Sequence, residues 1–235
     1  MIRKRLRDWL WARAQSFRKT RMEAFLREFR PTPAMRILDI GGTDLNWRII
    51  DQPAHVLLLN TNVPEEGYDL GLLGSEYSDT QTVGPPRGGP PGNVEYVLGD
   101  GRSVPYADGE FDICFSNSTI EHLFELDEQR RFANEVRRVG RGVWLQTPAR
   151  GFPVEPHWLA PFIHWLPKNW QRRLGRNLTA YGWMVRPTGE DVSQLVDELR
   201  LLTYREMQEL FPDCQIRRER FLGLTKSFIA VRPVS

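Results

Sequence analysis

The run Arg36-Ile-Leu-Asp-Ile-Gly-Gly-Thr43 constrains this chain more than any other: a short apolar segment ends in an acidic residue and breaks on two adjacent glycines. Ile37, Leu38 and Ile40 are the bulky apolar residues that a strand covered on both faces requires. Gly41 and Gly42 allow a tight turn and a close approach of ligand to backbone. A second apolar segment, His55-Val-Leu-Leu-Leu-Asn60, follows at about the twenty-residue distance of a mononucleotide-binding βαβ unit. Together they predict a parallel sheet that presents a ligand site at the carboxyl ends of its strands.

Alternating signals continue along the chain. Further strands are expected at Val94 to Leu98, Phe111 to Phe115 and Gly142 to Gln146, with helices after several of them. The segment 71–92 is too rich in Pro and Gly for regular structure and reads as a mobile surface loop. After the fifth strand an aromatic, proline-rich insertion spans 148–187 and reads as a cap. A helix over Asp191 to Leu210 then precedes strands at Cys214 to Phe221 and Ser227 to Arg232, which Gly223 can join as an antiparallel hairpin. The expected fold is therefore α/β: a Rossmann-like, doubly wound, seven-stranded, mostly parallel sheet with an antiparallel C-terminal end. At 235 residues the chain suits one such domain with its cap.

Charge is uneven. The first thirty residues hold Arg3, Lys4, Arg5, Arg7, Arg13, Arg18, Lys19, Arg21, Arg27 and Arg30 against Asp8, Glu23 and Glu28. Apolar residues at Leu6, Trp9, Leu10, Ala14, Phe17, Phe25 and Leu26 give this segment helical spacing until Pro31 and Pro33 stop it. Such a helix can lie across the sheet as a lid, which is the expectation, or rest on an anionic membrane surface as a peripheral contact. No nucleic-acid motif accompanies the charge, so a nucleic-acid partner is not expected. The start is too polar for a secretory signal, and no apolar run is long enough to span a bilayer. Cys114 and Cys214 form neither a disulfide framework nor a paired metal-ligand spacing, which points to a reducing, cytoplasmic setting.

Four motifs share an order and spacing: Leu38-Asp-Ile-Gly-Gly-Thr43, the strand end at Asn60, Leu98-Gly-Asp-Gly-Arg-Ser-Val-Pro-Tyr106, and Glu110-Phe-Asp-Ile-Cys-Phe-Ser-Asn-Ser-Thr-Ile-Glu-His-Leu123. In these, the chain resembles a class I S-adenosylmethionine-dependent methyltransferase of the methyltransferase type 11 family. The resemblance covers about Met35 to Gln146. It implies S-adenosyl-L-methionine as cofactor, with Asp39, Gly41, Gly42, Thr43, Asn60, Asp100, Gly101, Arg102 and Ser116 around it. Asp100 stands where the family's acidic residue accepts from the adenine amino group. The chain departs from the family at two positions: a third glycine is missing after Thr43, and Asn60 replaces the usual ribose-binding carboxylate. The same departures argue against a nicotinamide dehydrogenase, which needs the fuller glycine fingerprint.

The sulfonium methyl is already activated, so transfer needs alignment and, for a hydroxyl acceptor, removal of a proton. Groups leaving the fourth and fifth strands are the candidates: Glu121, then Glu155 and His157, with His164 in the cap. An imidazole oriented by a carboxylate is a natural base for an alcohol. Glu121, Glu155 and His157 are also of a type to hold magnesium or manganese, a minor alternative to a metal-free site. Aromatics interleaved with polar groups in Glu155-Pro-His-Trp-Leu-Ala-Pro-Phe-Ile-His-Trp-Leu-Pro suit sugar rings, or an interfacial surface facing lipid headgroups. This cap segment resembles bacterial methyltransferases of glycan and polysaccharide pathways. The expected function is O-methylation of a saccharide or other small hydroxyl acceptor. A lipid-linked or quinone-like acceptor at a membrane, and a non-catalytic cofactor-binding or regulatory module, are the alternatives.

Overall fold

The computed structural model describes residues 2–61 and 92–234. The loop expected over 71–92 lies, apart from Gly92, outside the described residues.

Helix α1 (Ile2–Phe29) leads into strand β1 (Arg36–Ile40), a short α2 (Leu45–Arg48) and β2 (His55–Asn60). Strands β3 (Val94–Leu98) and β4 (Phe111–Asn117), helix α3 (Leu126–Val139) and strand β5 (Gly140–Pro148) complete the parallel part. The segment 148–187, expected as a cap, contains a two-stranded hairpin, β6 (Val154–Glu155) with β7 (Ala160–Pro161), a 3₁₀ turn at Ile163–Trp165, and helices α4 (Lys168–Leu178) and α5 (Ala180–Val185). Helices α6 (Gly189–Glu198) and α7 (Tyr204–Leu210) and strands β8 (Gln215–Phe221) and β9 (Leu224–Arg232) follow.

The main sheet has seven strands in the order β3-β2-β1-β4-β5-β9-β8. Its first five strands are parallel, and β9 joins β5 antiparallel, with β8 outside it. This is the expected doubly wound sheet with its antiparallel end. The single helix expected over Asp191 to Leu210 is instead two, because Thr188 and Thr203 each start a helix with a capping box. Each threonine hydroxyl accepts from the third residue's backbone N–H, while that residue's carboxylate accepts from the threonine N–H. Leu199 after the first is extended, and the Arg200 N–H donates to the Glu121 carbonyl at 2.8 Å.

Alternation along β1 explains why both sheet faces are covered. Leu38 and Ile40 point into one core with Phe132, Val136, Leu145 and Met207, while Ile37 points into the other. Met22, Phe25 and Phe29 of α1 fill that second core, where Phe25 meets Trp47, Phe115 and Trp144 edge to face. Arg21 beside them donates to Asn117 and pairs with Glu219 at 3.0 Å. The C-terminal half of α1 is thus a lid on the sheet, as expected. No helix among the described residues is long and apolar enough to cross a membrane.

Candidate active site

At the carboxyl end of β1 the chain turns on Gly41, whose φ of +73° is a left-handed conformation. A Cβ there would lie 2.2 Å from the Thr119 methyl, and one on Gly42 would lie 1.9 Å from the Asp39 carboxylate. Asn60 at the end of β2 braces the same turn by donating to the Gly42 carbonyl at 2.8 Å, which leaves its amide oxygen as an acceptor. Ser116 is buried and donates to the Ile40 carbonyl at 2.9 Å, tying β4 to the turn. Thr43 follows the two glycines in the same connection to α2.

Asp39 is fully buried under this cradle. Its Oδ2 accepts from Trp47 Nε1 at 2.9 Å, while its Oδ1 has no partner among the described residues. Desolvation raises its pKa to about 8, against the lowering effect of the Trp47 hydrogen bond. A buried, unsatisfied carboxylate oxygen beneath a glycine turn fits a ligand with a cationic or hydrogen-bond-donating group, such as an amino acid ammonium. Trp47 was not singled out from the sequence; its signal was its position one turn after the glycines.

Asp100 lies just beyond β3 and is engaged from within its own loop. Arg102 donates to it through its backbone N–H at 2.8 Å and through its guanidinium at 2.6 Å. These hydrogen bonds hold the Asp100 carboxyl below its usual range. Gly101 is required by packing, since a Cβ would lie 2.5 Å from Ile40 and 2.6 Å from Phe132. The expected cofactor residues therefore line the carboxyl ends of β1, β2, β3 and β4, at one edge of the sheet.

A second group gathers beyond β4 and β5. Glu121 sits in a 3₁₀ turn after β4, fully buried; its Oε2 accepts from Thr147 Oγ1 at 2.9 Å and its Oε1 has no partner among the described residues. Burial raises its pKa. Glu155, on β6, is also fully buried, and its two oxygens accept from His157 Nδ1 at 2.6 Å and from the Trp158 backbone N–H at 2.7 Å. A carboxylate oxygen only accepts, so Nδ1 carries the proton and Nε2 of His157 is the free nitrogen. Burial pulls the His157 pKa down, but the charge and hydrogen bond of Glu155 and the charge of Glu121 outweigh it, and the pKa is raised.

His122 completes this group, its ring edge to face with His157 at 4.9 Å between centroids. Glu121, His122 and His157 each offer a ligand atom within 4.8 Å of the others. The metal-capable set is thus not the Glu121, Glu155 and His157 expected from sequence; His122 takes the place of Glu155, which orients His157 instead. His164 is not brought to the cluster. Its Nε2 and the Trp165 Nε1 both point at the Arg150 carbonyl, at 3.0 and 2.8 Å, so it braces the cap.

A family model described as a methyltransferase domain matches residues 71–142, from before β3 into β5. The fold is a Rossmann-like α/β sheet of seven strands, mostly parallel, with an antiparallel C-terminal end. Among solved structures, a protein from Rhodobacter sphaeroides described as a Zn-dependent alcohol dehydrogenase is similar at 13% identity and TM-score 0.54, over 89% of this chain and 87% of that one. One from Bordetella parapertussis, described as an exported protein, is 11% identical with TM-score 0.52, over 94% of this chain and 68% of that one. An S-adenosylmethionine-dependent methyltransferase from Methanosarcina mazei aligns over 85% of this chain and 92% of that one, at 15% identity and TM-score 0.46. Likeness at these identities concerns fold alone. No curated protein matches the chain.

Proposed function

We propose that this methyltransferase-type fold binds S-adenosyl-L-methionine and transfers its methyl group to a hydroxyl oxygen, as one domain with the 148–187 cap over the acceptor. The observation that carries this reading is the fully buried Glu155 holding His157 at 2.6 Å beyond the strand ends that carry the glycine turn. The bound cofactor supplies an activated methyl carbon. The chain's own residues position the acceptor and receive its proton, which passes to His157 Nε2 as the oxygen takes the methyl.

The buried Asp39 oxygen and the Gly41–Gly42 turn support the cofactor, with Asn60 and Asp100 addressing its ribose and adenine through their carbonyl and carboxylate oxygens. Glu121, pinned by Thr147, flanks the acceptor side of His157. The aromatic cap favours a saccharide or another hydroxyl compound with an apolar face.

Calorimetric titration with S-adenosylhomocysteine, beside a nicotinamide dinucleotide control and with and without magnesium, tests the cofactor. Saturable binding of the first alone is expected; binding of the dinucleotide in its place overturns the reading. A radiolabelled methyl-transfer screen over hydroxyl acceptors then tests turnover. Binding without transfer to any acceptor in that screen would assign the fold to a non-catalytic module.

A further inference from the structure

The cap carries a face that the transfer chemistry does not use. From Trp165 to Trp170 all six residues, Trp-Leu-Pro-Lys-Asn-Trp, are exposed, and Phe162 one turn earlier stacks on Trp165 at 5.1 Å between centroids. Phe162 is 52% exposed, Trp165 50%, Trp170 56% and Leu166 38%. Large apolar side chains standing this far into solvent in one short segment mark a contact surface. They are rigidly presented: Trp165 Nε1 is tied to the Arg150 carbonyl, Gln171 donates to the Leu166 carbonyl at 2.8 Å, and Gly175 of α4 packs against the buried Trp158.

Charge says what this face meets. Between Pro156 and Gly189 there is no Asp or Glu, while Lys168, Arg172, Arg173, Arg176 and Arg186 are all present. Asp197 of α6 takes Lys168 and Arg172, at 3.6 and 2.6 Å. Arg173, Arg176 and Arg186 are exposed and make no ion pair among the described residues. Tryptophan and phenylalanine beside uncompensated arginines match the headgroup boundary of an anionic bilayer, where the rings sit at the interface and the guanidiniums meet phosphates.

We infer that the face formed by Phe162, Trp165, Leu166 and Trp170, with Arg173 and Arg176, seats this protein on an anionic lipid bilayer. The face begins one residue after β7, whose Ala160 pairs with Glu155 on β6, the glutamate that holds His157, so the docked face and the proposed base are carried by one hairpin. The acceptor is then a hydroxyl carried by a membrane-held amphiphile. That acceptor class rests on the proposed methyl transfer; the docking does not.

The test is sedimentation of the full chain with phosphatidylcholine vesicles, with and without phosphatidylglycerol. Binding is expected only with phosphatidylglycerol and should weaken as salt is raised. Trp170→Ser with Leu166→Ser should abolish it, and Arg173→Gln with Arg176→Gln should weaken it about fivefold for each charge removed. All four side chains are on the surface, so unchanged S-adenosylhomocysteine binding by the variants separates lost docking from lost fold. No sedimentation of the wild type, or equal sedimentation of the cap variants, overturns the inference. So does loss of binding on replacing Arg3, Lys4, Arg5 and Arg7 of α1 by Gln while the cap variants still bind, which would assign the surface to α1. Self-association removed by Trp170→Ser, with no vesicle binding, would assign the face to a second copy. Vesicle binding needs no methyl transfer, so docking and function fail independently.

Discussion

A single hydrogen bond decides how the His157 imidazole behaves. With Nδ1 donating to a buried carboxylate, His157 can work only through Nε2, and its raised pKa means that the free-base form appears above the ordinary value of 6.5. If it takes the acceptor proton, kcat/KM rises with pH through a midpoint above 6.5 and then levels. Glu155→Gln removes the larger of the two raising charges, so that midpoint should move to lower pH, a shift that a purely structural glutamate would not give. His157→Ala should lower turnover about 10² to 10⁴-fold while S-adenosylhomocysteine affinity changes less than about twofold, measured by calorimetry. At the other end of the site, Asp100→Ala should weaken S-adenosylhomocysteine binding about tenfold or more, through the lost acceptor and through Arg102, which would keep only Glu128 of its two carboxylate partners. Unchanged affinity would remove Asp100 from the cofactor site.

At the level of elements, strand positions were legible because two-sided burial writes them as apolar runs: β1, β2 and β3 match the sequence expectation residue for residue. Ends were less legible. β5 runs from Gly140 to Pro148, beyond both expected limits, because β4 pairs with it from Gly140 and β9 as far as Pro148, long-range contacts that no local pattern announces. Motif order was enough to bring the residues named for the cofactor to neighbouring strand ends, whereas His122 meets His157 through a contact across 35 residues of chain, and sequence spacing holds no trace of that. Helix α1 is the case where two readings were open. Its basic, broken stripe suits a membrane, yet Met22, Phe25 and Phe29 in its last two turns are sheet core. Phe25→Ala should therefore cost about 3–5 kcal/mol in denaturant unfolding, the range for a buried aromatic. A cost under about 1 kcal/mol would mean that α1 is a detachable arm.

For the molecule as a whole, the glycine turn over Asp39 is held at an energetic cost that depends on pH. Asp39 has a folded pKa of about 8 and an ordinary unfolded value of 3.8, because burial disfavours its charged form. Between those two values the folded chain keeps a proton that the unfolded chain has released. Its contribution to stability is thus complete below about pH 4 and is lost as pH rises through 8, at up to about 1.4 kcal/mol per pH unit for one proton. Asp39→Asn keeps the acceptor for Trp47 and cannot ionise. Thermal melts of the ligand-free protein from pH 5 to pH 9 should show the wild type losing stability relative to Asp39→Asn, with the gap widening up to about pH 8 and levelling above it. Parallel curves would mean that Asp39 is already ionised in the fold, held by a donor that its unpartnered Oδ1 does not reveal. A widening gap would mean that the sheet is strained at its ligand-binding edge by a carboxylate without a counter-charge, and that a cationic ligand group placed there relieves the strain.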